Sequence, residues 1–140
     1  MIILSCDHAG FDAMQKIRHY FESKNIEYKY MGPKEYNQND DYPDFINPAS
    51  VEVLKDPDNC GIFLCGSGVG VNIVANRHKG IRAVNAYDCA IAYLARKDED
   101  ANVLTMGARI LSFRTMIKII KVFLTSEFEG GRHARRIAKY

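Results

Sequence analysis

The sequence predicts a Rossmann-like three-layer α/β/α sandwich, with a parallel sheet held between two layers of helix. Three observations carry that expectation. Apolar runs at residues 2–6, 61–65, 82–86 and 102–106 lack the polar alternation of a half-exposed strand, so they read as strands covered on both faces. Each run is followed by sequence of helical character, and strand-helix alternation implies crossover connections and parallel strands. Finally, residues with chemical capacity collect where the runs end: Asp7 and His8, then Cys65 and the glycines up to Gly70, then Gly107 to Arg109. Ligands of such sheets bind beyond the carboxyl ends of the strands.

After the first run, Phe11, Met14, Ile17 and Phe21 recur at helical spacing opposite Lys16, Arg18 and Glu22, which predicts an amphipathic helix lying on the sheet. A fifth, weaker strand is expected at residues 26–31, ended by the turn chemistry of Gly32-Pro33. Residues 34–44 are polar and aperiodic and read as a loop, and Pro43 suits the first turn of a helix reaching Leu54. Asp88 can cap a helix through Lys97. Ser112 can cap another whose apolar face is Met116, Ile117, Ile120, Phe123 and Leu124.

With 140 residues and 47% hydrophobic content, the chain can bury one substantial core, so a single domain over residues 1–140 is expected. The longest uncharged apolar stretch, residues 61–75, is too short to span a bilayer and is broken by glycines. Met1-Ile2-Ile3-Leu4 runs on to Asp7 with no basic region or cleavage pattern, so a cytoplasmic address is expected. Cys6, Cys60, Cys65 and Cys89 form no CxxC pair, which argues for free thiols and against a zinc or redox motif. A net charge of +2 gives no global field for nucleic acid. Charge is nonetheless uneven: Arg132, His133, Arg135, Arg136 and Lys139 share the last eleven residues with no acidic group, a candidate local anion site.

Cys65-Gly66-Ser67-Gly68-Val69-Gly70 lies where a buried strand turns into a helix, and its glycines let backbone amides converge on an anion. It is neither a P-loop, since no Gly-Lys-Ser/Thr follows, nor a full GxGxxG dinucleotide motif. A thiol at a helix N-terminus can serve as a base, which marks Cys65, although a lone cysteine is also a common small core residue. Asp7-His8 brings together a carboxylate and an imidazole, able to move protons or hold phosphate. Arg132 and Arg136, four apart, share one face of any helix there and offer forked donors to phosphate.

Taken together, Ser5-Cys6-Asp7-His8-Ala9-Gly10, Asp41-Tyr42-Pro43, the glycine segment at 65–70, Gly80-Ile81-Arg82-Ala83, Asn102-Val103-Leu104 and Gly130-Gly131-Arg132-His133 occur in the order and spacing of the ribose-5-phosphate isomerase B family. The chain resembles that family, which includes the galactose-6-phosphate isomerase subunits, over nearly its whole length. The resemblance implies a five-stranded parallel sheet and a metal-independent, cofactor-free aldose-ketose isomerase of the pentose phosphate pathway. It also implies a homodimer with its active site at the subunit interface, no membrane or nucleic-acid partner, and a sugar phosphate as substrate.

By the same resemblance, Cys65 is the base that removes the C2 proton and returns one to C1. Residues Gly66, Ser67, Gly68, Val69 and Gly70 hold the enediolate oxygens, with Ser67 where threonine is frequent. Asp7, His8 and Tyr42 contact substrate, and Arg109, Arg132, His133 and Arg136 form the anion site. Where the family usually has His-Asn, this chain has Asp98-Glu99. Asp98 therefore stands at the ring-opening position and Glu99 at a substrate-contacting one. Two other readings stay open: a galactose-6-phosphate or allose-6-phosphate isomerase, and a flavodoxin-like phosphate- or nucleotide-binding module.

Overall fold

In the computed structural model, which describes all residues 1–140, strands and helices alternate along the chain. They are β1 (Ile2–Cys6), α1 (Phe11–Ser23), β2 (Tyr28–Tyr30), α2 (Tyr42–Val53), β3 (Cys60–Cys65) and α3 (Val69–Ala75). Then follow β4 (Ala83–Asn85), α4 (Cys89–Glu99), β5 (Val103–Gly107), α5 (Phe113–Thr125) and α6 (Arg132–Ile137). All strand pairs are parallel, in the order β2-β1-β3-β5-β4.

The near-continuous apolar character of the inner strands follows from two covered faces. Successive strand residues point to opposite sides of a sheet. Leu4, Ile62, Leu64, Leu104 and Met106 pack with Met14, Ile17 and Phe21 of α1, Ala92 and Ala95 of α4, and Ile119, Ile120 and Phe123 of α5. Their neighbours Ile3, Phe63, Cys65 and Val103 point the other way, onto Ile46, Ala49 and Val53 of α2 and Val71 and Ala75 of α3. The predicted caps form. Ile91 N donates to Asp88 Oδ1 at 2.9 Å, and Thr115 N donates to Ser112 Oγ at 3.2 Å.

Three expectations need correction. The run at 82–86 is not a strand buried on both faces: only Ala83–Asn85 pair, at the sheet edge, and all three are half-buried. The strand expected at 26–31 shrinks to Tyr28–Tyr30, likewise an edge strand with one neighbour. The loop expected to reach residue 44 ends sooner, because helix α2 starts at Tyr42 and carries Pro43 in its first turn, where a missing amide costs no helical bond. At the other end of the sheet, α4 runs two residues past Lys97. Asp100 closes it in the left-handed region (φ 45°), which puts Asp98 and Glu99 in its last turn.

Candidate active site

The strand order creates one topological switch point. From β1 the chain goes to β2 on one side, and β3 lies on the other, so a crevice opens beyond the carboxyl ends of β1 and β3. A cleft of about 640 Å³ lies there, lined by Asp7, His8, Tyr42, Cys65, Gly66, Ser67, Val69, Gly70 and Arg109, together with Ala9 and Ile110. The parts are tied to one another through backbone. Asp7 N donates to Leu64 O at 3.3 Å, Ala108 N to Cys65 O at 2.8 Å and Arg109 N to Gly66 O at 3.0 Å.

Cys65 is buried at the last position of β3, and the Gly68 amide donates to its Sγ at 3.1 Å. Gly68 sits at φ 80°, and any side chain there would run into Asn85 and the Met106 backbone. The turn that delivers this amide to the sulfur therefore needs glycine. Ser67 Oγ accepts from Val69 N at 3.2 Å, which leaves its hydroxyl hydrogen free to donate. The Arg109 side chain lies against Gly66, and the Tyr42 ring against Gly70.

The other cysteines sit elsewhere. Burial pushes the Cys6 thiol up to about 12, and its Sγ lies 3.6 Å from Tyr30 Oη. Burial also raises Cys60. Both stay protonated thiols within the fold.

Asp7 is buried, and its Oδ1 accepts from Gly10 N at 3.0 Å, so it caps the single 3-10 turn at His8–Gly10. Burial raises its carboxyl above the ordinary range, with the Gly10 amide only partly offsetting this. His8 lies between two groups of the loop before α2. Its Nδ1 is 2.6 Å from Asp40 Oδ1, and the Tyr36 ring meets it edge-on. Neither Asp40 nor Asn85 was marked by the sequence. Asn85 Nδ2 donates to Ser67 O at 3.4 Å, bracing the glycine turn from the end of β4. Both contacts are long-range and leave no local pattern to read.

The remaining site candidates do not line this cleft. Asp98, Glu99, Arg132, His133 and Arg136 gather where the end of α4 meets α6. His133 is buried with Nε2 3.6 Å from Asp98 Oδ1, and Arg132 Nε donates to that same Nε2 at 3.3 Å. Tyr140 Oη donates to Glu99 Oε2 at 2.6 Å, while Arg132 and Arg136 are exposed. Donor atoms of Asp98, Glu129 and His133 lie within 4.8 Å of one another, the spacing of a cation site. Two cations already occupy its neighbourhood, since Lys97 Nζ is 3.1 Å from Glu129 Oε2 and the Arg132 guanidinium donates to His133. The candidates thus fall into a cleft group with the thiol and a cationic group on α4 and α6.

No helix is long and apolar enough to cross a membrane. The ribose/galactose isomerase family profile matches residues 2–140. The chain is 38% identical over 138 residues to the probable ribose-5-phosphate isomerase B of Mycoplasma pneumoniae, covering 99% of this chain and 91% of that one. It superposes with a TM-score of 0.94 on the crystal structure of ribose-5-phosphate isomerase B from Mycoplasma genitalium with bound ribulose-5-phosphate, at 40% identity, covering 99% and 91% of the two chains. The Clostridium thermocellum ribose-5-phosphate isomerase B structure also superposes at 0.94, with 33% identity and 99% and 93% coverage.

Proposed function

The chain belongs to the ribose/galactose isomerase family, whose relatives are aldose-ketose isomerases, and on that premise we propose that it interconverts ribose 5-phosphate and ribulose 5-phosphate in the cytoplasm. One observation carries the reading: Cys65 stands at the head of a glycine turn that lines one cleft together with Ser67 and Arg109, and its Sγ accepts from the Gly68 amide. A base beside anion-stabilising donors is what proton transfer through an enediolate requires.

In the proposed reaction Cys65 takes the C2 proton of the open-chain aldose to give the enediolate, the O2–H proton passes to O1 by way of the Ser67 hydroxyl, and Cys65 returns its proton to C1, leaving C2 as the ketone. The amides of Gly66, Ser67 and Gly70, which have no acceptor within the chain, and the Ser67 hydroxyl hold the charge that develops on O1 and O2. Ring opening precedes this step. His8 Nε2 accepts the anomeric O1–H proton as the C1–O4 bond breaks onto O4, and O4 takes its proton by way of the Asp7 carboxyl, whose burial works against the charged form. Solvent carries the imidazolium proton back to Asp7, so the opening is proton-neutral.

The phosphate needs cations beyond Arg109, and Arg132 and Arg136 supply them when a second copy of the chain covers the cleft. A surface for that copy exists. Ile91 and Leu94 on α4 border a hollow with Ala83 and Val84 of β4, Val69 and Ile73 lie on α3, which packs against β4, and all four apolar side chains are exposed. A two-fold pairing through this edge gives each cleft the α4 and α6 cluster of the other copy.

The direct test is conversion of ribose 5-phosphate to ribulose 5-phosphate in the presence of a chelator, beside galactose 6-phosphate and allose 6-phosphate. Turnover of the pentose alone supports the proposal, and preferential turnover of a hexose phosphate shifts it to the hexose enzymes of the family. Arg136→Ala is expected to raise KM with little change in kcat, since phosphate is gripped in ground and transition states alike.

Asp98→Asn is expected to leave kcat/KM within about threefold, because the proposed opening runs through His8 and Asp7 of the thiol cleft, which Asp98 does not line. A loss as large as that of a base substitution would make Asp98 the ring-opening group. Asp98→His is the complementary variant, and a gain in turnover would show that opening limits this enzyme.

A further inference from the structure

The loop between β2 and α2 has no periodicity and no motif, yet it places one carboxylate with unusual economy. Asp40 Oδ1 accepts from the backbone amide of His8 at 3.1 Å and contacts the Nδ1 of the same residue at 2.6 Å. Its side chain is only 7% exposed, and Oδ2 is buried with no partner. An unpartnered buried carboxylate oxygen is costly and is kept where the group performs a task. Oδ1 can only accept, so the proton of this pair lies on Nδ1 and the lone pair of a neutral ring lies on Nε2. Nε2 makes no hydrogen bond within the chain, and His8 lines the cleft. Tyr36 and Asp40, both from this loop, hold the ring from two sides.

We infer that Asp40 is a positioning residue for ring opening: it fixes the His8 ring in the Nδ1–H tautomer so that Nε2 is presented to the anomeric hydroxyl. The inference rests on the proposed isomerase reading. The chemistry resembles other carboxylate-imidazole pairs, in which the carboxylate sets tautomer and orientation without itself exchanging the proton. An asparagine at this position keeps the shape but can donate to Nδ1, which drives the ring proton to Nε2 and removes the acceptor.

The test is Asp40→Asn in the full-length protein, read three ways. Ribose 5-phosphate is cyclic and must be opened. Ribulose 5-phosphate has its C5 oxygen phosphorylated, cannot close, and needs only the enediolate step. Turnover of ribose 5-phosphate is expected to fall about tenfold to a hundredfold, the scale of a misoriented acid-base group. Exchange of the C1 hydrogen of ribulose 5-phosphate with deuterated water is expected to stay within about threefold. Nitrogen-15 spectra of the His8 ring at alkaline pH are expected to show Nδ1–H in the wild type and Nε2–H in the variant. Asp40→Glu, which can restore the acceptor, should recover part of the lost turnover.

Equal losses in both reactions would overturn the inference, because Asp40 would then be supporting the whole cleft. An unchanged tautomer would overturn it as well. Failure of the wild-type protein to act on either pentose phosphate would instead sink the substrate assignment, and the nitrogen spectra would still decide whether Asp40 sets the His8 tautomer.

Discussion

Cys65→Ala is expected to abolish isomerisation while substrate affinity stays within a few fold of wild type. The substitution removes one sulfur from the end of β3 and leaves the amides of the glycine turn, Ser67 and Arg109 in place, so the groups that bind the sugar phosphate survive. A positioned acid-base group contributes ~10²- to 10⁴-fold, and no neighbour can replace this one. Cys6, which ends the neighbouring strand β1, is fully buried and held as a thiol, with its pKa pushed up to about 12. Cys65→Ser should be nearly as inactive, since a hydroxyl fits the same hydrogen bond but is a far weaker acid than a thiol. Steady-state rates with a calorimetric binding isotherm separate the two effects. Residual kcat within about tenfold of wild type would move the base to another group.

What the sequence revealed of this fold follows the distance over which its information acts. The inner strands β1, β3 and β5 were legible because burial on both faces leaves an unbroken apolar run, and helices α4 and α5 because Asp88 and Ser112 cap them locally. The edge strands are not legible in this way, for a matching reason. β4 follows β3 in the chain but pairs outside β5, and nothing in residues 82–86 announces that exchange of order. Asp40 went unmarked because its partner His8 lies 32 residues away across an aperiodic loop. Family resemblance supplied the list of site residues but no partition of that list. Only the packed fold separates the thiol cleft from the cluster formed by Asp98, Glu99, Arg132, His133 and Arg136.

That separation leads to the second large effect. If one active site draws Cys65 from one copy and Arg132 and Arg136 from the other, two inactive proteins should restore each other. Cys65→Ala lacks the base at both sites of a dimer, and the double variant Arg132→Ala, Arg136→Ala lacks most of its phosphate grip. Each alone should be nearly inactive at substrate concentrations well below KM. A mixed dimer pairs the intact Cys65 of one chain with the intact arginines of the other at one site and collects both defects at the second. Random exchange of equal amounts makes about half the dimers mixed, so activity should rise from near zero to about one quarter of wild type. Differently tagged chains, copurified after mixing, report whether exchange has occurred. Recovery cannot arise if each chain completes its own site, because every site would then carry one defect. Verified exchange without recovery would therefore put the base and the arginines of each site on the same chain, whereas an arginine double variant active on its own would place the α4 and α6 cluster outside the reaction. In that case Arg109 would be the only arginine in reach of the phosphate from the thiol cleft.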